Sequence, residues 1–97
     1  IHQSISSDKP SAYSLEQNYP NPFNPSTKIK FQVPSTNFVT LKVYDLLGRE
    51  VSTLLNEEMK PGTYEITFYA TGLASGVYLY RLQAGEFIGT RKLVIMR

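Results

Sequence analysis

Apolar and polar residues alternate along most of this chain, and this period of two limits the fold more than any other feature of the sequence. Residues 28–33, 39–44, 64–69 and 77–82 each carry large apolar side chains at every second position. Because successive side chains of a β-strand point to opposite faces, each run predicts a strand with one face against a core. Turn residues recur about every 8 to 12 positions, and no stretch has convincing helical periodicity. The pattern predicts an all-β, two-sheet sandwich of about seven strands.

Two of the predicted turns are specified by their residue types. In residues 45–48, the side chain of Asp45 can bond the backbone that follows it. Gly48 can adopt the left-handed conformation that closes a type I turn with a bulge. Residues 84–86 form a tight reversal, so we expect the last two strands to pair antiparallel.

Other stretches interrupt the alternation. Residues 1–14 contain five serines and little apolar content, and we interpret them as a linker before a domain at 15–97. Residues 56–60 are mostly polar, and we expect them to lie outside the strands. Pro61 and Gly62 have the residue types of the two central positions of a type II turn.

Residues 19–27 hold three prolines that alternate with asparagine and one phenylalanine. Each proline fixes its own φ, lacks an N–H donor and pushes the preceding residue toward extended geometry. This proline segment is therefore neither helix nor central strand. We expect an extended lead-in to the first long strand, with Phe23 as its large apolar anchor.

Few residues in the chain could carry chemistry. The 97 residues form one domain, and the absence of cysteine excludes disulfides and thiolate metal sites. His2, the one histidine, lies in the predicted linker without a partner for general-base or metal chemistry. Adjacent Glu57 and Glu58 would point to opposite sides of an extended segment, unlike a glycosidase pair. We expect no enzyme, no cofactor and no metal site.

Charge and hydropathy exclude two further classes of protein. The net charge of +2 is too small, and too little clustered, for a nucleic-acid-binding domain. No apolar run approaches the roughly 20 residues that span a bilayer. The first residue is not methionine, and we expect an excised or processed piece whose export signal, if any, lies upstream.

Two sets of side chains could form binding surfaces. The chain has seven tyrosines, which could stack on sugar rings or fill the core. Three of them occupy positions expected to face the core: Tyr64, Tyr78 and Tyr80. Basic residues lie at outward positions of strands that we expect to be neighbours, at Lys28, Lys30 and Lys42, and at the C-terminus. They solvate and protect an exposed face, or they bind an acidic partner or anionic glycolipid.

The proline segment and two later motifs, in residues 43–51 and 72–82, resemble a known family in their order and spacing. The chain is similar to the C-terminal sorting domain, type A, of proteins exported by the bacterial type IX secretion system. The resemblance runs from about Ser14 to Arg97. The positions that match the family's motifs are Pro20, Asn21, Pro22, Phe23, Asn24, Pro25, Tyr44, Asp45, Gly48, Arg49, Gly76, Val77, Tyr78 and Arg81.

The resemblance implies an immunoglobulin-like antiparallel β-sandwich that labels a cargo protein for export. It implies recognition by the type IX translocon through the terminal strand, at Arg91, Lys92, Leu93, Val94, Ile95, Met96 and Arg97. A sortase-like surface protease would then remove the domain. No motif encodes the cut, but the exposed serine-rich stretch favours Ser4, Ser6, Ser7, Ser11 and Ser14.

Further expectations concern location and partners. The domain would be periplasmic in transit and then reach the outer membrane and cell surface, or be secreted. Its cargo would be attached to anionic lipopolysaccharide or released, and the domain would be a monomer that binds no nucleic acid. The main alternative is a carbohydrate-binding or cell-attachment β-sandwich module of a secreted hydrolase, and a plain immunoglobulin-like spacer is the third.

Overall fold

The computed structural model describes residues 2–6 and 10–96, which form two four-stranded antiparallel sheets packed face to face. The first sheet has the strand order β1–β6–β3–β2, and the second has the order β5–β4–β7–β8. The strands are β1 (His2–Ser6), β2 (Ser14–Leu15), β3 (Ser26–Val33), β4 (Asn37–Tyr44), β5 (Glu50–Met59), β6 (Gly62–Tyr69), β7 (Gly76–Ala84) and β8 (Phe87–Ile95). The described residues contain no helix, and so none that could cross a bilayer. The predicted all-β sandwich is confirmed.

The core lies between the sheets and consists of the alternate residues that the sequence pattern indicates. From β3, Ile29, Phe31 and Val33 are fully buried, and they face residues such as Leu41 and Leu82 of the second sheet. Burial of each such side chain contributes about 1.5–3 kcal/mol relative to exposure. The predicted core positions Tyr64, Tyr78 and Tyr80 are buried too.

The second half of β5 differs from the prediction. Residues 56–60 are not a loop: β5 continues to Met59, which is buried and lies opposite Asn37 of β4. The polar residues before Met59 are exposed because β5 is an edge strand of its sheet. The polar composition of residues 56–60 therefore belongs to the exposed side of an edge strand, which has the same residue types as a loop.

The predicted type II turn at Pro61 and Gly62 was also wrong. Gly62 has a φ of 159° and is already the first residue of β6, whereas a type II turn needs about +80° there. The reason is topological, since β5 belongs to the second sheet and β6 to the first. The chain crosses between sheets at this point and does not form a hairpin.

The three lysines that we expected on neighbouring strands lie on opposite sheets. Lys28 and Lys30 belong to β3 in the first sheet, and Lys42 belongs to β4 in the second. Lys28 lies 3.8 Å from Glu65 and Lys42 lies 3.3 Å from Glu50. The expected single basic face is therefore absent from this part of the chain.

The N-terminal residues contain strand structure within the segment that we interpret as a linker. The backbone of β1 pairs with β6 at the edge of the first sheet, and β2 pairs with β3 at the other edge. β1 is the strand beyond the seven expected from the sequence. Where the linker ends and the domain begins stays a prediction.

Candidate recognition site on the terminal strand

The terminal strand β8 forms one edge of the second sheet and pairs with β7 along its whole length. Of the predicted recognition residues, Leu93 and Ile95 are buried in the core. Those that are exposed or half-buried are Arg91, Lys92, Val94 and Met96. Arg97 lies outside the described residues. The predicted signal is thus divided between core residues and accessible ones.

The outer edge of residues 92–96, here called the closed half of β8, is bonded to residues that precede β3. The N–H of Phe23 donates to the carbonyl of Val94 at 3.1 Å, and the N–H of Met96 donates to the carbonyl of Phe23 at 3.0 Å. The N–H of Val94 donates to Oδ1 of Asn21 at 2.9 Å. Gln17 Nε2 donates to the carbonyl of Lys92 at 2.6 Å. These bonds occupy the edge of the closed half except at the N–H of Lys92, which none of them uses.

The same bonds fix which backbone groups of β8 point away from β7. Residues of an antiparallel strand alternate between bonding their neighbour and pointing outward. Because Val94 directs both its N–H and its carbonyl outward, Lys92, Thr90 and Ile88 do so too. Among the described residues, nothing bonds the outward groups of Ile88 and Thr90. We call residues 88–90 the open half of β8.

The chain before β3 is also fixed to the first sheet, so it joins the edges of both sheets. The backbone groups of Tyr19 and Lys28 bond each other at 3.0 Å in both directions. The side chain of Phe23 is buried and contacts Phe68 edge to face at a centroid distance of 6.0 Å. The N–H of Ala70 donates to the carbonyl of Pro25 at 2.9 Å. The expected role of Phe23 as an apolar anchor is confirmed.

A buried polar cluster holds the start of the proline segment, and the sequence analysis did not find it. Asn18 and Thr27 are only 2% and 1% exposed. The Tyr80 hydroxyl donates to the carbonyl of Glu16 and accepts the N–H of Asn18, both at 2.7 Å. Asn18 Nδ2 donates to Thr27 Oγ1 at 3.0 Å, and that hydroxyl donates to the carbonyl of Pro20 at 2.7 Å. Burial raises the pKa of the Tyr80 hydroxyl to about 12.

One signal for this cluster was present in the sequence. Thr27 occupies an inward position in the alternation of β3, where a polar side chain needs a buried partner. The partners could not be read from the pattern, because Asn18 and Tyr80 are 62 residues apart.

The central turn between β4 and β5 has the predicted form. Asp45 Oδ1 accepts the N–H groups of Leu47 and Arg49, both at 2.9 Å, and its Oδ2 lies 2.7 Å from Nε of Arg49. Gly48 has a φ of +87°, and its N–H donates to the carbonyl of Asp45. The N–H of Arg49, helped by its guanidinium and by the N–H of Leu47, lowers the pKa of the Asp45 carboxyl. Leu46 and Leu47 are exposed at the tip of this rigid turn.

The third motif, in residues 72–82, contacts the second motif through Arg81 of β7. Arg81 donates to the hydroxyl of Tyr44 at 3.0 Å, and its guanidinium carbon lies 5.0 Å from the centre of that ring. This geometry is a cation–π contact. Tyr78 is buried and its hydroxyl donates to the carbonyl of Ala74 at 2.9 Å. Val77, the second residue of β7, is half-buried.

The three motifs meet at one end of the sandwich. Ile95 lies beside Gly76 of β7 on one side and beside Phe23 of the proline segment on the other. Tyr44, which precedes the central turn, lies opposite Leu79 of β7. We call this end the motif end. It contains the closed half of β8 and the two exposed leucines of the turn.

A comparison with protein families gives a match over most of the chain. The family model of the Secretion system C-terminal sorting domain matches residues 17–96. The chain belongs to this family. The sorting domain is the C-terminal signal of type IX secretion, a non-catalytic targeting signal on cargo that crosses the outer membrane to the cell surface or is secreted. No curated protein matches the chain.

The serines predicted near the cleavage position occupy different environments in the sorting domain. Ser4 and Ser6 belong to β1, and Ser14 belongs to β2, where its hydroxyl donates to Oε1 of Gln32 at 3.1 Å. Ser11 is exposed and lies outside the strands. Ser7 lies outside the described residues.

Acidic and exposed aromatic residues are spread over the part of the sorting domain that the structure describes. That part contains no group of three or more histidine, cysteine, aspartate or glutamate residues able to hold a metal ion. Glu57 and Glu58 follow each other in β5, so their side chains leave opposite faces of the strand. Two tyrosines are strongly exposed, Tyr19 at 81% and Tyr69 at 65%.

Proposed function

We propose that the type IX translocon recognises this sorting domain at the motif end, through accessible side chains of the closed half of β8. The observation that supports the proposal is the meeting of the three predicted motifs at one end of the sandwich: the proline segment and β7 flank Ile95, and the central turn reaches β8 through Leu79 of β7. Lys92 and Met96 are exposed there, and Met96 presents 58% of its surface to solvent. An exposed cation beside exposed apolar side chains is a surface that a partner can bind.

Other residues of the predicted signal would then act through the fold. Leu93 and Ile95 fill the core, and Nε of Arg91 donates to the carbonyl of Leu15 at 3.0 Å. The backbone groups of Val94 and Met96 are already bonded to the proline segment. A partner would therefore contact side chains of the closed half and would not add a strand there. The domain would thus work as a rigid shape and would perform no catalysis itself.

A charge-reversing surface variant tests this proposal. We expect Lys92→Glu combined with Met96→Asp to leave a fused reporter enzyme in the periplasm while the melting temperature stays near that of the parent domain. The matched control is Lys30→Glu with Tyr69→Asp, which makes the same charge change on the other sheet and should be exported normally. Export of both variants at the parent level would contradict the proposal. Deletion of residues 92–97 is a weaker test, because it also removes Leu93 and Ile95 from the core.

We propose further that a sortase-like surface protease cuts within the serine-rich N-terminal stretch. A protease needs an extended backbone without strand partners. Among the described serines of this stretch, Ser11 meets that requirement, whereas Ser4, Ser6 and Ser14 lie in strands. The mass of the released C-terminal fragment tests the proposal. We expect a fragment that begins between residues 7 and 14, and a fragment beginning upstream of His2 or beyond residue 15 would contradict it.

The fate of the cargo belongs to the same proposal. The freed cargo would be attached to anionic lipopolysaccharide at the cell surface or be released, and the domain would act as a monomer. Attached cargo should run as a high-mass ladder on gels and collapse to one band in a strain that lacks the polysaccharide. A single sharp band in both strains indicates release. Size-exclusion chromatography with light scattering should give the mass of one chain.

Glycan binding is a second candidate function, and one observation favours it. Tyr19 lies opposite Lys28, and Tyr69 lies opposite Ser26 on the other side of β3, so both exposed rings lie on the outer face of the first sheet. Strand spacing places their Cα atoms about 12 Å apart. Affinity electrophoresis on a panel of glycans should show retardation that Tyr69→Ala abolishes. The control is Phe38→Ala on the second sheet, and equal mobility of all three proteins on every glycan would exclude this function.

A further inference from the structure

The open half of β8 offers backbone groups that no described residue uses. We infer that residues 88–90 form an acceptor edge, to which an extended segment of the secretion machinery adds as a further strand. The inference rests on the proposed function, since it names a second contact made by the same strand. The partner would contact the side chains of the closed half and the backbone groups of the open half.

The hydrogen-bonding capacity of this edge suits a short strand. Ile88 and Thr90 each direct one N–H and one carbonyl away from β7, and Lys92 directs its N–H the same way. Its carbonyl is already bonded by Gln17. The edge therefore presents three donors and two acceptors in register over about 13 Å of strand. Backbone bonds of this kind supply affinity in strand addition, and neighbouring pockets supply specificity.

A groove runs beside the open half and can receive the side chains of the added strand. It has a volume of about 310 Å³ and lies between β2 and β8. The rings of Tyr13 and Phe87 line it and stack with centroids 5.1 Å apart. Ile88 is 56% exposed and flanks the edge. An incoming strand would therefore meet an aromatic wall and a large aliphatic side chain.

Two of the other sheet edges, β5 and β2, are less suitable for strand addition. The long edge strand β5 carries Glu50, Glu57 and Glu58, and its pairing with β4 is irregular at two places. Charged residues and bulges are the features by which proteins protect edge strands from pairing. The edge strand β2 has only two residues. In contrast, residues 87–90 carry no charge and contain no bulge.

The residues next to the open half indicate the chemistry of the partner segment. Arg91 and Lys92 are exposed immediately after it. Charge complementarity therefore favours an extended segment with apolar residues opposite residues 88–90 and an acidic residue that reaches the two cations. Such a segment would be held by both backbone bonds and an ion pair.

Proline substitution at Thr90 tests the inference, because the N–H that it removes points outward and has no described partner. Proline is tolerated on edge strands at such positions. In a reporter-fusion assay we expect Thr90→Pro to reduce export at least tenfold, whereas the control Thr90→Ala, which keeps the N–H, exports like the parent. Ile88→Lys is a second variant that leaves the backbone intact and places a charge on the edge. It should reduce export by a similar factor.

Photo-crosslinking separates failure of this inference from failure of the proposed function. With p-benzoylphenylalanine at position 88 we expect a crosslink to an outer-membrane translocon subunit identified by mass spectrometry, and none from position 38 on the same sheet. Normal export of both Thr90→Pro and Ile88→Lys, with export still blocked by Lys92→Glu and Met96→Asp, would overturn the acceptor edge alone. A parent domain that directs no export would overturn the proposed function and the inference with it.

Discussion

The two halves of β8 share one strand and one partner strand, yet their outer edges differ. In the closed half, the groups of Val94 and Met96 are bonded to residues that lie more than 70 positions earlier in the chain. In the open half, the outward groups of Ile88 and Thr90 have no described partner. Val94 and Met96 thus complete the sandwich, whereas Ile88 and Thr90 keep outward backbone groups, to which we propose that a partner binds.

The largest expected effect comes from removing the anchor of the proline segment. Phe23→Ala should lower the free energy of unfolding by about 3–5 kcal/mol, because it leaves a cavity where a buried ring contacts Phe68. Urea denaturation measures the loss. The control Phe38→Ala removes an exposed ring and should cost less than about 1 kcal/mol. Equal losses in the two variants would mean that the segment does not support the closed half.

The next largest effect is expected at the buried hydroxyl of Tyr80, which bonds the residues just before the proline segment. Tyr80→Phe keeps the ring but leaves the carbonyl of Glu16 and the N–H of Asn18 without their partner. The expected loss is about 1–3 kcal/mol, again measured by urea denaturation. Tyr64→Phe is the control, since the Tyr64 hydroxyl donates to the carbonyl of Lys60, only four residues earlier, in the connection between β5 and β6. A loss at Tyr80 no larger than at Tyr64 would contradict the role of the polar cluster.

A pair of proline variants compares the two halves directly. Val94→Pro removes an N–H that donates to Asn21, and it should cost about 0.5–1.5 kcal/mol more than Thr90→Pro, whose N–H has no described acceptor. Thermal melts of the two variants in parallel give the difference. If Thr90→Pro is the more destabilised protein, the assignment of open and closed halves is wrong.

The smallest effect is expected at the central turn, whose bonds are all local. The lowered pKa of Asp45 means that its ionised form stabilises the folded state at pH values above its ordinary pKa of 3.8. This contribution is lost as the pH falls through the lowered pKa of the folded state. Asp45→Asn should therefore be less stable than the parent at pH 7, and the two melting temperatures should converge at low pH. A difference that is constant from pH 7 to pH 2 would contradict this account.

Much of the fold was predictable because the relevant signals are local. Alternation identified core residues such as Ile29 and Leu82, and the residue types of the central turn specified its geometry at Asp45 and Gly48. The end of β5 was missed because the exposed side of an edge strand has the composition of a loop.

The arrangement around β8 was less predictable because it depends on distant pairings. The sequence indicated that Phe23 is an anchor, but not that Phe23 lies beside Ile95. It also predicted an extended proline segment, whereas the structure has bends at residues 20–22 and 24–25. A periodic pattern also could not predict that Asn18 bonds Tyr80, because the two residues are 62 positions apart. The predicted recognition residues of β8 therefore formed one set, in which the core residues Leu93 and Ile95 were not separated from the exposed ones.

Residue-resolved amide hydrogen exchange tests the central claim most directly, because it reports which N–H groups of β8 are bonded on the outer edge. We predict slow exchange for Phe23, Val94 and Met96, which have defined acceptors, and fast exchange for Ile88 and Thr90. In Phe23→Ala, the protection of Val94 and Met96 should fall toward that of Thr90. Exchange of Val94 and Met96 in the parent domain as fast as that of Ile88 and Thr90 would contradict the division of β8 into a closed and an open half.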